Sequence, residues 1–115
     1  MILSPQDVVL VSNRRMFPND ETRYFLGRVL ASEDTLVKIE GYSFVRDLAN
    51  GHVIKKDERR VKILSLASPG FLVYQLPSEL QVDAAHIESQ NGDAILVDDH
   101  GEWMNLAEHT HCGHF

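Results

Sequence analysis

The chain has 115 residues, an ordinary apolar fraction of 43%, one cysteine and a net charge of −6, which together describe a single small domain, residues 1–115, built around one modest core. With Cys112 alone no internal disulfide can form, so a reducing, cytoplasmic setting is expected; the apolar run Val8–Val11 is too short for a signal sequence or a membrane span. Residues 1–62 carry 11 basic and 9 acidic groups while residues 63–115 carry none and 8, a polarity suited to contacts between subunits and unfavourable for polyanions at the C-terminal end.

In chain order, Ser4-Pro5 opens a short helical turn, and Val8–Ser12 is a strand. Residues 13–22 make a polar loop around Pro18-Asn19-Asp20. Two long strands follow, Tyr24–Ser32 and Thr35–Arg46, joined at Glu33-Asp34 with almost no spare residues, as a hairpin requires. Asn50-Gly51 is a turn signal, and Val61–Leu66 and Phe71–Leu76 are further strands. Pro77-Ser78-Glu79-Leu80 reads as one or two helical turns. Asn91-Gly92-Asp93 and Asp98-Asp99-His100-Gly101 are turns that bracket a strand at Ala94–Val97, and Trp103–Leu106 is one more candidate strand.

Within the third strand Thr35, Val37 and Ile39 fall on one face and Leu36, Lys38 and Glu40 on the other. Gly41 interrupts this alternation, and Gly27 sits similarly in the strand before it. Glycine inside a strand marks a bulge or sharp bend, so the expected fold is mostly β: a small, strongly bent antiparallel barrel over residues 8–76, followed by an acidic extension, 77–115, of one or two strands and a His-rich tail. Tyr42 and Phe44 share a face of one strand, and core packing accounts for them better than an exposed aromatic platform.

Gly27, the Asp34 turn and the apolar Leu36, Val37 and Ile39 stand where the first motif of the Sm-like (SH3-like) small barrels has a strand glycine, an aspartate turn and an apolar strand. Pro69-Gly70-Phe71-Leu72-Val73-Tyr74 is similar to the edge-strand segment of the second motif. The chain thus resembles the Sm-like family over roughly residues 8–76. The resemblance implies a five-stranded bent barrel and assembly of copies through their edge strands. It also implies a difference in function, because Lys38 and Pro69 stand where RNA-binding members have a base-reading asparagine and its partner arginine. Single-stranded RNA recognition needs both base-edge donors and a stacking platform.

Two dense runs remain. Lys55, Lys56, Arg59 and Arg60, with Lys38, Arg14 and Arg15, are the candidate nucleic-acid contacts, because Lys and Arg contacts to phosphate dominate such binding; Asp57 and Glu58 dilute the run, which also suits a charge-protected edge strand. His109, His111, Cys112 and His114 in the tail are candidate ligands for a transition metal, although a single short cluster with no second half does not wrap a tetrahedral ion. No phosphate loop, nucleophile elbow, H-E-x-x-H or C-x-x-C occurs. Asp98-Asp99-His100 places acids beside a histidine only in sequence, so no enzyme activity and no cofactor are expected. The reading is an oligomeric assembly or binding module, with RNA binding and metal binding as alternatives and no membrane partner.

Overall fold

The computed structural model describes residues 3–13, 23–46, 52–90 and 93–106. Nine strands occur among them: β1 (Val8–Asn13), β2 (Arg23–Glu33), β3 (Leu36–Arg46), β4 (Val53–Lys55), β5 (Arg60–Ser65), β6 (Phe71–Leu76), β7 (His86–Gln90), β8 (Asp93–Asp98) and β9 (Gly101–Asn105). All strand pairings among the described residues are antiparallel. The larger sheet runs β4-β3-β2-β1-β6, and β5 also pairs with β3. β3 is long enough to divide its outer edge between two partners, β5 along Leu36–Gly41 and β4 along Phe44–Arg46. The second sheet is β7-β8-β9.

β1 explains why its run is continuously apolar. Val8 and Leu10 enter one core, with Tyr24, Leu26, Phe44, Leu80, Leu96 and Leu106. Val9 and Val11 enter another, with Leu3, Phe25, Val29, Val37 and Ile39. A central strand buried on both faces has no solvent side to alternate with. Leu64 of β5 and Phe71 and Val73 of β6 pack on the second core, so strands from opposite ends of the order meet on one set of side chains. The sheet is therefore curled. Among the described residues β5 and β6 do not pair with each other, so the barrel expected from the sequence is not closed by hydrogen bonds.

The two interrupting glycines lie directly opposite one another in the β2–β3 pair. A Cβ at Gly41 would lie 2.5 Å from the Gly27 Cα and against the Leu26 carbonyl, and one at Gly27 would sit 2.7 Å from Ile39 Cγ2. This close approach excludes any side chain. Beyond it the register shifts between Val29 and Ala31, a bulge at Leu30 that the sequence reading did not foresee. The hairpin loop is Asp34-Thr35, one residue later than expected, with Asp34 at a φ of 53°; aspartate tolerates that left-handed conformation better than most residues.

Val37 and Ile39 are buried while Leu36 and Lys38 are exposed, as the alternation predicts. Phe44 is fully buried and Tyr42 half-buried. The extension differs from expectation: it forms three strands rather than one or two, since His86–Gln90 pairs with β8 throughout. Its sequence, HIESQ, has a single large apolar residue, Ile87, and no pattern to reveal it. Val53–Lys55 also escaped, being only three residues long. The expected helical turns are hydrogen-bonded turns instead: Asp7 N–H donates to Ser4 O (3.1 Å) and Leu80 N–H to Pro77 O (3.2 Å). No helix long and apolar enough to cross a membrane occurs among the described residues.

The extension lies across the outer face of the larger sheet. Leu80, Val82, Ala85, Leu96 and Leu106 share a core with Val8, Leu10, Tyr24, Leu26 and Phe44. Arg28 fastens this arrangement, its guanidinium donating to the carbonyls of Gln6 (3.2 Å), Ser78 (3.3 Å) and Leu80 (3.0 Å).

Candidate functional site

The candidate surface begins at the sheet edges. No strand among the described residues pairs with the far side of β5 or of β6. Both edges border apolar side chains that solvent reaches: Val61 is 52% exposed, Ile63 63% and Leu72 37%. Unpaired backbone beside exposed apolar side chains is the arrangement that invites another strand. On β5 the alternation is complete. Leu64 turns into the core and Lys62 follows the same side, its ammonium 4.7 Å above the Phe25 ring. Desolvation, helped by Arg60 and Arg23, lowers the Lys62 pKa. Val61 and Ile63 point the other way, opposite Glu40 and Lys38 of β3. A shallow open cleft of about 210 Å³ lies here, lined by Ala31, Ser32, Glu33, Leu36, Val37, Lys38 and Ile63.

The candidate nucleic-acid residues do not form one free basic stripe. Lys38 is exposed at the cleft, whereas Lys55 sits among β4, β3 and the 82–85 turn. Its ammonium donates to the carbonyls of Asp83 (2.7 Å) and Ala85 (2.8 Å) and lies 4.3 Å above the Tyr42 ring. Burial lowers the Lys55 pKa, with Asp83 and Asp57 opposing the shift. Arg59 bridges Asp83 (3.3 Å) and Glu40 (3.9 Å), and the Tyr42 hydroxyl donates to the same Asp83 carboxylate at 3.0 Å. Tyr42, then Asp83 and Glu40, raise the Arg59 pKa. Arg60 pairs with Glu58 at 2.5 Å. Lys56 is exposed, and its backbone N–H donates to Ser43 O at 2.8 Å. Arg14 and Arg15 lie outside the described residues. Asp83, which organises much of this, carried no sequence signal: it is one acid in an unremarkable turn, made important by what folds against it.

Asp98-Asp99-His100 is likewise structural. Asp98 Oδ1 accepts the His100 backbone N–H and Oδ2 accepts the Gln81 N–H, both at 2.8 Å. Burial works to raise its pKa. The two backbone donors and the nearby Trp103 indole, whose nitrogen has no partner of hydrogen-bond geometry among the described residues, outweigh burial and hold the carboxyl at about 2. The His100 ring instead meets Gln81 Nε2 at 3.1 Å. His86 and Glu88 form an exposed pair at 2.9 Å that raises the histidine pKa and lowers that of the glutamate.

Among the described residues no group of three or more His, Cys, Asp or Glu side chains is placed to hold a metal ion. His109, His111, Cys112 and His114 lie outside them. Compared with protein-family models, curated proteins and solved structures, the chain shows no match.

Proposed function

We propose that the chain is a small Sm-like barrel protein that works as a homo-oligomeric assembly or binding module, its copies joined through edge strands. The observation that carries this reading is the strand order β6-β1-β2-β3-β5 curled about one core, with the two end strands unpaired on their far sides among the described residues. A β5 edge bearing Arg60 and Lys62 and a β6 edge with no charged residue are different surfaces, so pairing β5 of one copy with β6 of the next is heterologous and closes only as a ring. Nucleic-acid binding is the weaker reading, because Arg59 and Arg60 are already matched by acids and Lys55 by carbonyls.

Sedimentation velocity across a wide concentration range tests the proposal. The native chain should sediment as an oligomer. Leu72→Lys, which sets a new cation where basic β5 would dock, should release monomer while retaining the native far-ultraviolet spectrum. A native chain that stays monomeric throughout overturns the reading, as does a Leu72→Lys variant of unchanged mass.

A further inference from the structure

The outer face of the larger sheet is covered over only part of its area. Along β3, residues of one parity face outward. Tyr42 and Phe44 lie beneath the C-terminal extension, and beyond Gly41 the same face continues through Glu40, which Arg59 meets at 3.9 Å, to Lys38 and Leu36, both exposed. The Leu30 bulge sets Ala31 and Glu33 of β2 on this face beside Lys38 and Leu36, and β5 contributes Ile63 and Val61. Leu36 is 48% exposed and Ile63, at 63%, more so than any other large apolar side chain described. Contiguous exposed apolar surface rimmed by charge marks an interaction site.

We propose that this uncovered half-face is a two-fold symmetric contact with a second copy of the chain. Its charges make the surface complementary to itself. Ala31 pairs with Lys38 and Glu33 with Leu36, so the four occupy the corners of a square with Glu33 and Lys38 on one diagonal and Ala31 and Leu36 on the other. Neither Glu33 nor Lys38 has an ion-pair partner among the described residues. A two-fold axis along the Ala31–Leu36 diagonal carries each Lys38 over Glu33 of the second copy. It sets Leu36 against its own symmetry mate and Ala31 against its own. Two ion pairs then flank an apolar centre, in the face-to-face packing of sheets about 10 Å apart. A partner of single charge would leave one of the two groups opposed by its own sign.

This contact goes beyond edge pairing and is independent of it, because an added edge strand extends the sheet in its plane whereas this face stacks two sheets. The experiment is a charge swap read by sedimentation equilibrium at low salt: Lys38→Glu, Glu33→Lys and the double variant. Each single variant opposes like charges at both ends of the contact and should weaken dimerisation at least about tenfold, while the double variant should return to within about threefold of the native chain. Leu36→Asp on the axis should also abolish the dimer, with circular dichroism confirming the native sheet in every variant. A double variant as weak as the singles, or four proteins of equal affinity, overturns the proposal. If Leu72→Lys reduces the native mass while the swap series has no effect, edge pairing stands and this contact falls; the reverse pattern removes edge pairing and leaves this contact standing.

Discussion

Replacing Gly41 by alanine tests how the larger sheet is held together. The new Cβ would lie 2.5 Å from the Gly27 Cα and 2.7 Å from the Leu26 carbonyl carbon, closer still to the Leu26 oxygen. Carbon atoms in favourable contact are about 3.5–4.0 Å apart, so β2 and β3 must separate locally by about 1 Å. The obstacle is backbone rather than a side chain that can rotate away, and the pair forms the middle of the sheet. Overpacking a well-filled core costs about 1–3 kcal/mol, and a clash with main chain belongs at or above the top of that range, about 3 kcal/mol. Urea denaturation followed by circular dichroism measures it. Gly70→Ala is the control, because a Cβ there meets only Ser68 Oγ at 3.5 Å and its φ is not positive; it should be neutral or stabilise by a few tenths of a kcal/mol. If Gly41→Ala costs less than about 1 kcal/mol, the opposed glycines are not a steric requirement and the argument from close approach fails.

Other consequences follow from the side chains that fasten the extension. Arg28→Met removes three bonds to backbone carbonyls, two of them solvent-accessible, and should cost about 1–2 kcal/mol in the same denaturation assay; full native stability would deny it a fastening role. Asp98 has a depressed folded-state pKa, so its contribution is complete above the usual value of 3.8 and disappears as pH falls towards about 2. Stability measured from pH 5 to 2 should therefore fall less steeply in Asp98→Asn than in the native chain, and parallel curves would refute this. Lys55→Met keeps the apolar stem over Tyr42 but leaves the Asp83 and Ala85 carbonyls without their ammonium; amide exchange at residues 83–86 should quicken while that in β1 is unchanged.

Much of the larger sheet was legible because its strands obey simple rules. β2 and β3 are long and joined by a minimal hairpin, β3 alternates cleanly up to Gly41, and β6 is a compact apolar run between turns. β7 was not legible. It is a polar pentapeptide whose strand conformation comes from pairing with β8, a tertiary circumstance that residue preferences do not record. The bulge at Leu30 was hidden for a similar reason, since nothing local tells a bulged leucine from a paired one.

The surface divides in the same way. The sequence supplied the cations at residues 38, 55, 56, 59 and 60. Only folding decided that Arg59 would meet Asp83 and Glu40, that Lys55 would be occupied by carbonyls, and that Lys38 would stay exposed beside Glu33, Leu36 and Ile63. By itself the sequence determined strand content, the two strand-interrupting glycines and charge polarity, because those depend on residue type and short spacing. Which part of the sheet's outer face is covered, among the described residues, depends on where residues 77–90 and 93–106 come to rest. That is set by packing between segments far apart in the chain, so the tertiary structure decided it.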